Sequence, residues 1–206
     1  RLTPEMVDAL VSRGMDQFNL SISSIDSSIL KQESRMAELP KYLAIVRRLA
    51  QRHIPSITYF ICGFAGDTIE TVAANLAFLS GIPTRIGISM FYPVPGIPDF
   101  EDKRKFDGRD PLLCAGSSAY PWNRSLTTAQ MITAFRLSRF INLMKSKQQT
   151  ESDNRVIARI REEKMLYTTV SENRGMKMIP VPNVDQEMVD LFFRKAPAGI
   201  IGPDQG

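Results

Sequence analysis

The chain has 206 residues, of which 43% are hydrophobic, and a net charge of +4, so it is long and apolar enough for one substantial core. No uninterrupted apolar run approaches the ~20 residues of a membrane helix, and the first residues lack the pattern of a signal peptide. We therefore expect a cytoplasmic protein with no membrane partner. Because Lys and Arg are scattered among Asp and Glu rather than clustered with aromatic residues, nucleic acid is not the expected partner either.

Helical and extended patterns alternate along the first half of the chain. The predicted strands cover residues 17–24, 56–63 and 85–92, and the predicted helices begin near Thr3, Pro40 and Asp67. Strands that alternate with helices favour right-handed crossovers and a parallel sheet. Three strands are too few to close a barrel. We therefore predict the α/β class, with a partial (βα) barrel of parallel strands that is a fragment of a longer protein.

One face of the first predicted strand is polar. Asn19, Ser21 and Ser23 alternate with apolar residues, so they share one face of the strand. Strands covered by helices on both sides are normally apolar throughout, so this face predicts a lining that meets a ligand at the carboxyl end of the sheet. The alternative is that Ser24 or Asp26, at the end of the strand, caps a short helix just beyond it.

A glycine-bounded turn follows the second predicted strand. It reads Gly63-Phe64-Ala65-Gly66-Asp67 and lacks the Lys and the Ser or Thr of a nucleotide-binding P-loop. We predict that Asp67 begins a helix, with Glu70 in the arrangement of a capping box. The glycines permit tight turning and a close approach of the backbone, either to a ligand or to neighbouring protein.

The chain changes character after the third predicted strand. The three prolines of residues 93–98 predict a rigid wall beside the strand ends, or else a plain connection. Beyond residue 100 we predict a long loop and then helices: one from Thr127 with Gln130 completing a capping box, one around Val156, and one within residues 184–194. We therefore divide the chain into a barrel part, 1–100, and a mostly helical extension, 101–206, that would serve the substrate.

Three stretches resemble the radical S-adenosylmethionine (radical SAM) enzymes. They are residues 19–26 (NLSISSID), residues 59–68 (YFICGFAGDT) and residues 87–98 (GISMFYPVPGIP), in the order and spacing of the second half of that family's barrel. From Leu2 to Asp99 the chain is similar to the branch whose members often carry a cobalamin-binding domain. The resemblance implies a parent oxidoreductase that uses S-adenosylmethionine and a 4Fe-4S cluster, with cobalamin as a further candidate cofactor.

The resemblance also implies which residues bind the cofactor. The residues at the matching positions are Ser21, Ser23, Ser24, Arg35, Gly63, Phe91 and Tyr92. The serines would meet the ribose and the amino-acid portion, and the arginine would pair with the carboxylate. The glycine would let the backbone approach the adenine, which the aromatic pair would support. The family usually has Glu where Asp67 stands and often Pro at Ala65, so this turn is atypical.

The chain lacks the cysteine loop on which the chemistry of this family depends. In the family, three cysteines in a CxxxCxxC loop hold the cluster through their thiolates. Here Cys62 and Cys114 lie far apart, and they indicate neither that loop nor a disulfide framework nor another metal site. We therefore predict that the chain has no catalytic residue of its own, and that alone it neither turns over nor holds these cofactors stably. Its expected partners are a missing N-terminal part of the same polypeptide and an unknown substrate.

Two other functions are compatible with the sequence. An unrelated (βα) barrel enzyme could bind a polar substrate through Ser21, Ser23 and Asp26 without a cluster. A non-catalytic domain derived from a barrel could instead present an interaction surface that includes Phe135, Phe140 and the tail helix.

Overall fold

Three parallel strands form the main sheet of the structure, a computed structural model that describes residues 2–22, 24–32, 39–64, 66–94, 113, 116–122, 124–172 and 175–201. The strands are β1 (Phe18–Ile22), β2 (Ser56–Cys62) and β3 (Arg85–Met90), in that order across the sheet. Phe18 lies opposite Ser56, and Ile57 lies opposite Arg85, so the three carboxyl ends meet at one edge. The predicted parallel α/β arrangement is confirmed.

One helix precedes the first strand of this sheet, and further described helices connect the strands. They are α1 (Pro4–Val11), α2 (Ser27–Gln32), α3 (Leu39–Gln51) and α4 (Ile69–Ser80). Helix α1 begins where predicted, and Thr3 caps it, because its hydroxyl accepts a hydrogen bond from the backbone N–H of Met6. Val7 of α1 packs with Phe18 and with Leu49 of α3 in a small cluster of buried side chains. The first helix therefore lies against α3 and the start of β1.

The two faces of the main sheet differ in burial. Phe60 and Met90 are buried in the core, whereas Ser21 and Tyr59 on the opposite face are exposed. Successive side chains of a strand point to opposite faces, so this difference follows the alternation of the sequence. The described helices cover one face of the sheet and leave these positions on the other face open.

Among the described residues, the second half of the chain combines helices with one hairpin. Its elements are α5 (Thr128–Met144), α6 (Glu151–Glu163), β4 (Tyr167–Glu172), β5 (Gly175–Pro180), α7 (Gln186–Lys195) and α8 (Ala198–Ile201). The capping box predicted at Thr127 and Gln130 is present. The antiparallel pair β4 and β5 is a feature that the sequence analysis missed, although β-branched Thr and Val within β4 are typical of a strand.

One hydrophobic core joins the two halves of the chain. Phe60 of β2 and Leu76 of α4 belong to the same buried cluster as Leu137 of α5 and Phe192 of α7. The predicted boundary near residue 100 lies outside the described residues. None of the described helices combines the length and the apolar character needed to span a lipid bilayer.

The sequence analysis considered an interaction surface that includes Phe135 and Phe140, but the structure buries one of these two rings. Phe140 is 4% exposed, and its ring centroid lies 6.0 Å from that of Phe193 in α7. Phe135 is half-buried. The expectation is therefore wrong at Phe140, because α5 turns that ring, and α7 turns Phe193, into the core.

Candidate functional site

The turn after β2 is held by a buried carboxylate. Oδ2 of Asp67 accepts hydrogen bonds from the backbone N–H of Gly63 at 2.7 Å and of Phe64 at 3.0 Å. The Asp67 residue is 2% exposed. The prediction that Asp67 begins the helix is wrong, because Thr68 caps α4 and forms the capping box with Thr71. Asp67 instead reaches back to the turn, where a charged acceptor makes both hydrogen bonds strong.

Gly63 requires glycine for two separate reasons. Its φ angle is +100°, which side chains other than glycine rarely adopt. A Cβ atom at this position would also lie 3.0 Å from Cε of Met131 in α5 and 3.6 Å from Cβ of Phe91. On that side of the residue the close approach is therefore to neighbouring protein. Contact between Gly63 and an adenine ring remains a prediction.

The ends of β2 and β3 meet beside this turn. The N–H of Phe91 donates to the carbonyl of Cys62 at 2.7 Å, and the ring centroids of Phe91 and Phe64 lie 5.4 Å apart. The hydroxyl of Ser125 donates to the carbonyl of Phe64 at 3.1 Å, which ties the residues before α5 to the turn. Phe91 and Tyr92 are only half-buried, so part of each side chain stays accessible.

The end of β1 is tied to α4 through Ser24 and Asn75. Ser24 is fully buried. Its Oγ accepts hydrogen bonds from Nδ2 of Asn75 at 3.2 Å and from the N–H of Asp26 at 2.9 Å. Oδ1 of Asn75 accepts from the N–H of Ile25 at 2.6 Å. The Ser24 hydroxyl thus makes contacts within the protein, and its contact with a cofactor remains a prediction.

Sequence reasoning missed Asn75 as part of this arrangement. The residue is buried in α4, among apolar side chains that include Val72 and Leu76. A buried amide has to find hydrogen-bond partners, so an asparagine at a core position of an apolar helix is a signal of such a contact. The partner itself, 51 residues away in sequence, cannot be read from that signal.

The remaining polar residues of the first strand occupy separate positions. Oδ1 of Asp26 accepts from the N–H of Ser28 at 2.8 Å, so the capping alternative is confirmed for Asp26 at the start of α2. Ser21 is exposed on the open face of the sheet and lies opposite Tyr59 in the strand register. Outside the described residues lie Ser23, Arg35, Cys114 and residues 95–98.

Tyr59 is a second residue that sequence reasoning missed. It is 43% exposed although it belongs to the central strand. A Cβ atom on Gly87 would lie 2.9 Å from two carbons of the Tyr59 ring, so the glycine leaves space for the ring beside β3. Tyr59 therefore adds an aromatic surface to the open face on which Ser21 lies.

The segment that contains β1, β2 and the Gly63 turn is also similar in sequence to a known protein family. Residues 1–79 match the family model of the Radical SAM superfamily. The match supports the resemblance to radical SAM enzymes for this segment. It ends before β3, so it does not reach Phe91 and Tyr92. No curated protein matches the chain.

The described residues do not fit the 4Fe-4S cluster that radical SAM enzymes generally use. Among them, no group of three or more His, Cys, Asp or Glu side chains could hold a metal ion. Burial, with a smaller contribution from the nearby Asp67 carboxylate, raises the pKa of the Cys62 thiol well above its ordinary value. Clusters are bound by thiolates, so a buried thiol that keeps its proton is a poor ligand.

Proposed function

We propose that this chain supplies S-adenosylmethionine and substrate contacts to a radical SAM enzyme whose iron-sulfur cluster is held by other polypeptide. The proposal rests on one observation: the carboxyl ends of the three parallel strands lie at one edge of the sheet. Ser24, Gly63 and Phe91 follow these three ends. In such an enzyme the cluster supplies the electron that cleaves the sulfonium to a radical. The part of this chain is to bind and orient.

Accessible groups at this edge suit an adenosyl group. Phe91 and Tyr92 keep part of their rings exposed, and aromatic rings stack on nucleobases. The exposed Ser21 hydroxyl can hydrogen-bond to a ribose. Because Asp67 already fixes the backbone at Gly63, the turn needs little further ordering when a ligand binds.

The extension contributes to the same edge, which favours a substrate-related role for it. Met131 of α5 packs against Gly63, and Ser125 donates to the turn through its hydroxyl. A substrate bound over the strand ends would therefore lie next to residues from both halves of the chain. The partner that we propose is a cysteine-bearing N-terminal barrel part in the cytoplasm, with cobalamin as a further candidate cofactor.

Titration of the chain with S-adenosylmethionine, followed by amide chemical shifts, tests the proposal. We expect weak binding, with a dissociation constant of about 1 mM or higher, because the proposal assigns part of the pocket to other polypeptide. The shifts should concentrate at Ser24, Gly63 and Phe91 and spare Ser56 and Thr84 at the opposite edge. Shifts that spread evenly over the chain, or none at all, would contradict the proposal.

A matched pair of variants sharpens this titration. Phe91→Leu removes a ring at the candidate site, whereas Phe78→Leu removes a half-buried ring from α4. Base stacking contributes roughly 1–3 kcal/mol, so Phe91→Leu should weaken binding by at least about fivefold. Phe78→Leu should leave the affinity unchanged. Equal losses in both variants would show that the effect is structural.

Anaerobic iron-sulfur reconstitution tests the predicted division of labour. We expect no stoichiometric 4Fe-4S cluster in the visible spectrum of the purified chain, because a cluster needs several thiolates in one compact loop. The Cys62→Ser variant should give the same spectrum as the unaltered chain. One cluster per chain would contradict this prediction without affecting the titration above.

A further inference from the structure

A stretch of the extension contacts the end of β3. The N–H of Met90, the last residue of β3, donates to the carbonyl of Gly116 at 2.7 Å. Gly116 begins residues 116–122, which we call the Gly116 segment. Shortly after the segment, the hydroxyl of Ser125 donates to the carbonyl of Phe64, in the turn after β2. The chain therefore passes from the end of β3 to the end of β2 within ten residues of sequence.

Gly116 fits its place because it has no side chain. A Cβ atom on Gly116 would overlap Oγ of Ser89 and would lie 3.7 Å from Cε1 of the Tyr92 ring. The φ angle of Gly116 is not positive, so glycine is needed here for space and not for a left-handed backbone. The backbone of Gly116 thus packs on the side chain of Ser89 and next to the ring of Tyr92.

The Tyr92 ring is placed by packing. Within the described part of the chain, the Tyr92 hydroxyl has no hydrogen-bond partner that would fix the ring. The side chain is half-buried, so one part of it is covered by protein and another part is accessible. Because protein interiors are close-packed, a ring without a polar anchor takes the space that its neighbours leave. Gly116 is one of the neighbours that define this space.

Trp122 anchors the other end of the Gly116 segment. Trp122 is 6% exposed, and its Nε1 donates to the carbonyl of Leu113 at 3.2 Å. Its ring centroid lies 4.9 Å from that of Tyr120, in an edge-to-face arrangement. Trp122 is also the only tryptophan of the chain. The segment is therefore held at both ends, and tryptophan fluorescence reports on its packing.

We propose that Gly116 is a positioning residue of the candidate site. Its missing side chain lets the extension dock on Ser89, and the docked backbone holds the Tyr92 ring where an adenosyl group would stack. The inference rests on the proposed function and adds a residue of the extension to it. Gly116 touches no ligand in this role, because it acts through the ring of Tyr92.

A pair of substitutions tests this role. Gly116→Ala adds the overlapping Cβ atom and should displace the Tyr92 ring, so that S-adenosylmethionine binds at least about fivefold more weakly. Adding Ser89→Ala removes the overlapped hydroxyl and leaves an ordinary distance of 3.6 Å between the two Cβ atoms. The double variant should therefore bind like the parent chain. Ser117→Ala, at the exposed next position, is the control and should change nothing.

Two further measurements on the same variants need no ligand. Acrylamide quenching of Trp122 fluorescence should rise about twofold in Gly116→Ala, because the segment opens more often, and should return to the parent value in the double variant. The ring resonances of Tyr92, assigned by comparison with Tyr92→Phe, should shift and return in the same way. A general loss of stability would not be repaired by Ser89→Ala, because this substitution only removes a group.

Three outcomes would overturn the inference. The first is parent-like affinity and Tyr92 resonances in Gly116→Ala, whether or not the quenching of Trp122 changes. The second is a defect that persists in the double variant, because the contact with Ser89 would then not be its cause. The third is an equal defect in Ser117→Ala. If the parent chain shows no ligand-induced shifts, the proposed function fails, and the Tyr92 resonances alone decide whether Gly116 positions the ring.

Discussion

At the amino end of the main sheet, Nζ of Lys145, the C-cap residue of α5, donates to the carbonyls of Leu79, Ile82 and Thr84 at 2.6, 2.8 and 2.8 Å. At the carboxyl end, Asp67 bonds to the turn that lies only a few residues before it. The amino end is thus held by a lysine that is distant in sequence. The Gly63 turn at the carboxyl end is held by a carboxylate four residues away, with one further hydrogen bond from the distant Ser125.

The two ends of the sheet therefore differ in their expected roles: the amino end stabilises the fold, and the carboxyl end is accessible to a ligand. At the amino end the Tyr42 hydroxyl lies 2.7 Å from Oγ1 of Thr58, which lies 3.0 Å from Oγ1 of Thr84, and all three are buried. At the carboxyl end Phe91 and Tyr92 remain partly exposed. Ligands of parallel α/β sheets bind at the carboxyl end, so changes at the amino end should alter stability alone.

The largest effect is expected for Lys145→Met. Methionine keeps an apolar stem but leaves three carbonyls without the ammonium donor, which should lower the free energy of unfolding by about 3 kcal/mol. Urea denaturation measures the loss. Lys147→Met, at an exposed position, is the control and should change little. The chemical-shift change that S-adenosylmethionine causes at the Gly63 amide should be the same in folded Lys145→Met as in the parent chain. A different change would contradict the separate roles of the two ends.

Compared with Lys145→Met, Asp67→Ala should have a smaller effect on stability and a larger effect on the binding of S-adenosylmethionine. It removes the acceptor of two backbone N–H groups, which should cost about 2 kcal/mol in the free energy of unfolding. Asp67→Asn retains one carbonyl acceptor and should lose less. Denaturation and the ligand titration on the same samples test this. Full retention of the ligand-induced shifts at Gly63 in Asp67→Ala would contradict the role of the turn.

The smallest effect is expected for Tyr42→Phe, about 1 kcal/mol near neutral pH. Burial, opposed by the hydrogen bond with Thr58, raises the pKa of Tyr42 to about 12 from 10.0. Between these values the folded chain keeps a proton that the unfolded chain loses, so the free energy of unfolding falls as pH rises. Tyr42→Phe lacks this contribution.

Urea denaturation near neutral pH and at about pH 11 measures the effect of Tyr42. The difference in stability between the parent chain and Tyr42→Phe should shrink at the higher pH, because only the parent loses this contribution. A difference that stays constant would show that Tyr42 keeps its ordinary pKa in the folded chain.

The amino-acid sequence by itself determined the alternation of strands and helices and the caps at Thr3 and Thr127. These features depend on side chains and backbone groups within a few residues of each other, so local patterns are sufficient. The polar character of Ser21 and the permissive backbone of Gly63 were also visible. Both mark the carboxyl edge that the structure assembles from three strands.

Tertiary structure decided the contacts that make this edge specific. Asp67 and Thr68 are both suitable helix caps by residue type. In the folded chain, Asp67 bonds to the Gly63 turn and Thr68 caps α4. Asn75 reaches Ser24 across 51 residues of sequence. Contacts of this kind depend on which surfaces the packed core brings together, and no local pattern in a single sequence carries that information.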